Sequence, residues 1–120
     1  MMKRLFTILS LLLAVAGGTQ AQNIVAEEGA WCWFADPRAM HYRNDAGTID
    51  ASYVGYIDVH GNIMATQYDY INGRKSDVLI RSAFQPDDHD NPTFLVLPDE
   101  RIFIIYSRHT AEACVYYRIS

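Results

Sequence analysis

Short runs rich in Val, Ile, Tyr, Phe and Thr recur roughly every ten positions, each cut off by a turn signal. Residues 52–59 (Ser-Tyr-Val-Gly-Tyr-Ile-Asp-Val) form one such run. His60-Gly61-Asn62 turns the chain, and residues 63–70 run back to make a hairpin. Asn72-Gly73 is a second turn signal, followed by a strand over 76–84 with Val78 and Ile80 on one face and Leu79 and Arg81 on the other. Strands are then predicted over 93–97, 102–107 and 113–119. Upstream, residues 23–30 form a polar lead-in and 31–34 a short aromatic strand, broken at Asp36-Pro37 because proline restricts itself and its predecessor. Residues 38–42 resume a strand and 43–50 form a turn. No segment sustains a helical period, so the chain is all-β and built of antiparallel hairpins: a sandwich, a barrel or a propeller.

The strands group into an incomplete early unit, then 52–84, then 93–119. A propeller blade takes roughly 40–50 residues, and a closed ring needs about four blades or more. The expectation is therefore the N-terminal piece of a longer β-propeller, with residues 22–120 as its incomplete domain. Residues 1–21 read as a secretory signal: Lys3 and Arg4 first, an apolar run over 5–16, then the small-residue exit Gly17-Gly18-Thr19-Gln20-Ala21. The apolar run is far shorter than the ~20 residues of a membrane span. A periplasmic or secreted location is expected, with no membrane attachment after cleavage.

Cleavage would remove Lys3 and Arg4 and leave 8 basic residues against 14 acidic ones, a formal charge of −6. A mildly acidic exported chain is a poor partner for nucleic acid, which calls for a basic face. Export would permit a bridge between Cys32 and Cys114, but both lie in apolar surroundings, where buried free thiols are common, and free thiols are expected. No C-x-x-C or H-x-x-x-H spacing points to zinc.

The chemistry-bearing stretch spans residues 87–109. Asp87-Asp88-His89-Asp90-Asn91-Pro92 precedes the 93–97 strand, Pro98-Asp99-Glu100 turns the chain, and Tyr106-Ser107-Arg108-His109 closes the next strand. His89 lies just before the first strand and His109 just after the second, so a hairpin returns both imidazoles to one open end. Asp87-Asp88-His89-Asp90 could pass for a metal cluster, but consecutive residues rarely all face one ion, so no metal and no cofactor are expected. His41 and His60 lie near turns and read as surface residues. Trp31 and Trp33 read as core, and Tyr53, Tyr56, Tyr68 and Tyr70 as sheet packing.

Trp31-Cys32-Trp33-Phe34-Ala35-Asp36-Pro37-Arg38-Ala39, the Asp87–Pro92 motif and Tyr106-Ser107-Arg108-His109 together resemble the opening of the BNR repeat-containing propeller proteins of secreted bacterial polysaccharide degradation. That group includes ulvan lyases and is similar in fold to rhamnosyl-glucuronate hydrolases. The resemblance implies a seven-bladed propeller with a substrate cleft across one end. It also implies active-site positions for the histidine of a D-D-H-x-x-P-type loop and for the histidine closing the next hairpin, which are His89 and His109 here. A Tyr and an Arg from later blades complete the site in the lyases. Where that group often turns its hairpin at Asp-Gly, this chain has Asp99-Glu100, which implies another turn type, since Glu tolerates positive φ poorly. The S-x-D-x-G-x-x-W box of sialidases is absent, and Tyr117-Arg118-Ile119-Ser120 only faintly echoes their arginine motif.

The partner expected from the resemblance is an acidic polysaccharide or oligosaccharide. Cleavage beside a uronate by β-elimination needs a base for the C5 proton, an acid for the leaving O4 and a cation for the carboxylate. Histidine suits the first two roles because it titrates near neutral pH. His89 and His109 are thus the catalytic candidates, with Arg108, Asp88 and Asp90 the candidate substrate-binding residues. Asp88 or Asp90 is expected to fix the tautomer of His89. Strand alternation would turn Arg108 away from His109. The alternatives are a glycoside hydrolase of the same propeller type and a carbohydrate-binding propeller without catalysis.

Overall fold

The structure is a computed structural model that describes residues 24–30 and 39–120. The expected secretory signal, the strand expected over 31–34, the break expected at Asp36-Pro37 and Cys32 all lie outside the described residues.

Among the described residues seven strands follow one another: β1 (Ala39–Arg43), β2 (Asp50–Ile57), β3 (Ile63–Asp69), β4 (Arg74–Arg81), β5 (Thr93–Val96), β6 (Ile102–Ser107) and β7 (Val115–Ile119). A 3₁₀ turn, Asp88–Asp90, lies between β4 and β5. Strands β1 to β4 form one antiparallel meander and β5 to β7 a second, each in sequence order. The chain is all-β, and a four-stranded antiparallel meander has the strand count and connectivity of a propeller blade.

The two sheets pack face to face through alternate residues. On the first, Ile57, Ile63, Ala65 and Ile80 point inward; on the second, Ile102, Ile104 and Tyr106 do. Ile57 and Ile63 pair directly across the β2–β3 hairpin and are 0% exposed. Burying side chains of this size contributes about 1.5–3 kcal/mol each, so this pair anchors the core next to the hairpin's own turn. Phe84 joins the cluster from a loop and meets Tyr106 and Tyr116 edge to face, with ring centroids 5.3 and 5.4 Å apart.

Two expectations are corrected, and the change of turn type at Asp99-Glu100 holds although its premise, that Glu avoids positive φ, does not. Strand β4 ends at Arg81, short of Phe84, because Ala83 takes φ 46° and the Phe84 amide donates to Gly61 O at 2.8 Å instead of to a strand neighbour. Cys114 is free but exposed, just ahead of β7, where a buried thiol was expected. Glu100 does adopt positive φ, 67°. The turn is closed by the Glu100 amide donating to Leu97 O at 2.9 Å, which places Glu100 as the left-handed residue following the turn rather than inside a two-residue one. Its carboxylate accepts from Asn44 Nδ2 at 3.1 Å and Tyr42 OH at 3.3 Å, and these bonds tie the turn to the first sheet.

Candidate functional site

Two glycines decide where the loop before β5 can lie. Gly55 in β2 has Pro92 against it: a Cβ there would sit 2.7 Å from Pro92 Cγ and 2.8 Å from Pro92 O. Pro92 is fully buried in that contact, and beside it Asn91 Oδ1 accepts from the Ile57 amide at 3.1 Å. Gly61, at φ 73°, lets the Gln85–Pro86 backbone approach so closely that a Cβ would meet Gln85 C and Pro86 N at 2.6 Å. The loop carrying His89 is thus fixed to the first sheet at both of its ends.

Within the loop, Asp87 is the N-cap of the 3₁₀ turn, with extended backbone and its carboxylate accepting from the His89 amide at 2.9 Å. The same carboxylate reaches both rings. His89 Nδ1 is 2.7 Å from Asp87 Oδ1 and His109 Nδ1 is 3.0 Å from Asp87 Oδ2. The ring centroids are 4.0 Å apart with planes tilted by 32°. The two histidines at the ends of the β5–β6 hairpin are therefore together, as the spacing predicted. A carboxylate only accepts, so each Nδ1 donates to it.

His109 is also held by its backbone. Its amide donates to Asp90 Oδ1 at 2.7 Å and to Gln85 Oε1 at 3.1 Å, and its carbonyl accepts from Gln85 Nε2 at 3.2 Å. Asp90 is 1% exposed, so it cannot meet a polysaccharide; this corrects its expected substrate contact to a clamp on His109. Burial pushes its carboxyl above the ordinary range. Asp88 does touch His89, Oδ1 to Nδ1 at 2.9 Å, and is half-buried. Arg108 turns to Phe84, its guanidinium 4.9 Å from the ring centre, and its Nε lies 3.5 Å from Glu112 Oε1. His60 is exposed in the turn after β2, and His41 is exposed in the middle of β1, where its Nε2 lies 2.9 Å from Asp50 Oδ1.

The residue the sequence reading missed is Asp87. Its signal was an Asp two positions ahead of a His, the spacing at which a capping carboxylate reaches both the amide and the ring of the second residue. The second half of its role, holding a ring from across a hairpin, has no local signature.

The hydrogen bond from the His89 amide, followed by those from the two imidazoles, holds the Asp87 carboxyl down to about 2. The bond to Asp87, with Asp88 adding, raises the His89 imidazole above its ordinary value. The signs are opposite. Asp87 contributes stability above its ordinary value of 3.8, and the contribution is lost as pH falls through about 2. His89 contributes stability below its ordinary value of 6.5, and the contribution is lost as pH rises through the higher folded value. Melting temperature against pH for the parent and Asp87→Asn should therefore differ most between about pH 4 and 6.5, converge as pH falls towards 2, and keep part of the difference at high pH, where the bond from the His89 amide remains.

Asp87, His89 and His109 also form a set of metal-type donors, one atom from each lying within 4.8 Å of the other two. This is not the consecutive run weighed from the sequence: its third member comes from the far end of the hairpin.

The profile described as BNR repeat-containing family member matches residues 51–120, from β2 through β7 and across the whole site. No curated protein and no solved structure matches the chain. The match takes in more than half of the chain and both histidine loops, and the chain belongs to the BNR repeat-containing family.

Proposed function

We propose that the chain is part of an exported propeller protein that degrades acidic polysaccharide, cleaving beside a uronate by β-elimination. The observation that carries this reading is the imidazole pair: two rings 4.0 Å apart, each donating Nδ1–H to one carboxylate. With a negative charge on Asp87, the pair is neutralised by a single extra proton. One ring is then an imidazolium and the other a neutral base, the two forms that elimination needs at once. His89, flanked by two carboxylates, is the ring that carries the charge.

In this reading His109 Nε2 takes the C5 proton and His89 Nε2–H delivers one to O4 as the glycosidic bond breaks. Both rings keep an open edge, with side chains 38% and 41% exposed, so solvent can reset the protons after each turnover. Neutralising the uronate carboxylate does not fall to Arg108, which is engaged by Phe84 and Glu112. The resemblance implies an Arg from a later blade in the site, and a guanidinium suits that task.

The test is digestion of a uronate-containing glycan by the longest native product of the reading frame. Growth of the ultraviolet absorbance of an unsaturated uronate supports elimination. Release of a saturated sugar without that absorbance identifies a hydrolase. Retention of the glycan without cleavage identifies a binding propeller. Fold alone does not choose among these outcomes.

A further inference from the structure

We propose that Asp87, His89 and His109 form a seat for a divalent transition ion of the zinc class, and that the ion and the proton-transfer form of the pair exclude each other. The seat itself needs only the geometry; the exclusion rests on the elimination reading above.

Two imidazoles and a carboxylate are the donor set of an open, three-ligand zinc site. Here both rings present the same nitrogen, Nδ1, to the same carboxylate, at 2.7 and 3.0 Å. A fourth donor is in place, since Asp88 Oδ1 lies 2.9 Å from His89 Nδ1. One Nδ1–H faces two carboxylate oxygens there, an excess of acceptors over protons that a cation would relieve. With zinc–ligand bonds of about 2.0–2.2 Å, tetrahedral neighbours stand about 3.3 Å apart. The contacts would open by a few tenths of an ångström, and all three side chains are partly exposed at loop rims, where they have room to do so.

The seat is also braced from behind. Gln85 and the buried Asp90 hold the His109 backbone. The next residue, Thr110, sits at φ 55°, a left-handed conformation rarely taken by a β-branched side chain. Strain of this kind persists where the surroundings fix the chain, and it clusters at sites that do something.

An ion bound to Nδ1 takes the lone pair of that nitrogen: an imidazolium releases its Nδ1 proton to solvent and keeps Nε2–H, while a ring that was neutral gives up its Nδ1 proton and takes one from solvent at Nε2. A neutral ring then carries its hydrogen on Nε2. Nε2 no longer has a lone pair for the C5 proton, so the metal-loaded pair has no base. Zinc therefore binds the site and silences it, and a chelator restores it.

The experiment is calorimetric titration of the full chain with zinc alone, repeated on Asp87→Asn, His109→Gln and Cys114→Ser, with folding checked by circular dichroism. Cys114 is included because an exposed thiol is the obvious competing donor. The expected result is one equivalent bound by the parent and by Cys114→Ser. Each of the other two variants should lose at least about 100-fold in affinity, beyond the ~10–100-fold of an outer-shell change. Cobalt(II) absorption gives a second readout, with tetrahedral bands in the parent that vanish in His109→Gln. No binding, or binding that survives both Asp87→Asn and His109→Gln, overturns the seat. Zinc that binds while glycan cleavage proceeds unchanged overturns the exclusion. Zinc that binds a protein with no cleavage activity at all leaves the seat standing and sinks the elimination reading, so the two failures are distinguishable.

Discussion

His109→Ala is expected to cut turnover of a uronate glycan by about 10²–10⁴-fold, the usual contribution of a positioned acid or base, while leaving the fold in place. The side chain is 41% exposed and sits outside the hydrophobic cluster, and its backbone clamp to Gln85 and Asp90 does not use the ring. Initial rates of unsaturated product formation, with melting curves recorded alongside, check this. His89→Ala should lose a comparable factor. The double variant should lose little more than either single one, because a base without its acid partner is already half a machine. Asp87→Asn should fall between parent and His109→Ala. It keeps both rings but offers only one of them a carbonyl acceptor.

The second large effect is on stability. Gly61→Ala should cost about 2–5 kcal/mol, combining left-handed backbone for an L-residue, about 1–2 kcal/mol, with overpacking of about 1–3 kcal/mol. The clash is with backbone, at 2.6 Å from both Gln85 C and Pro86 N, so no side chain can swing away to relieve it. The displaced segment includes Gln85, which grips both the amide and the carbonyl of His109. Gly61→Ala should therefore lose cleavage activity as well as stability, although it lies outside the site. Gly47→Ala is the matched control. Its φ is 68° but nothing lies within 4 Å of its Cβ position, so only the backbone cost of about 1–2 kcal/mol remains. Urea denaturation of the two variants separates the clash from the conformational cost.

The contrast between these residues shows what the sequence could tell. Alternation and turn residues are local, so the hairpins over 52–70 and 93–107 were legible, and with them the meeting of His89 and His109. The end of β4 was not, because it depends on Gly61 capturing the Phe84 amide from another hairpin. Glu100 at positive φ was not, because the bonds that hold it come from Tyr42 and Asn44, more than fifty positions away. Asp90 looked like its neighbours in an acidic run, and only tertiary packing separates the buried clamp from the half-buried Asp88. Asp87 is half legible: its cap on His89 is local, while its grip on His109 exists only once the hairpin has closed.

One carboxylate holds two rings by the same nitrogen, and both the proton transfer and the metal seat proposed for the site require it. Long-range ¹⁵N–¹H NMR of the histidine side chains measures that directly in the parent and in Asp87→Asn. The predicted result is that His89 and His109 both carry hydrogen on Nδ1 in the parent, and that the single substitution shifts the ring nitrogens of both while leaving His41 and His60 unchanged. A His109 ring that carries its neutral-form hydrogen on Nε2, or that does not respond when Asp87 is replaced, would contradict it.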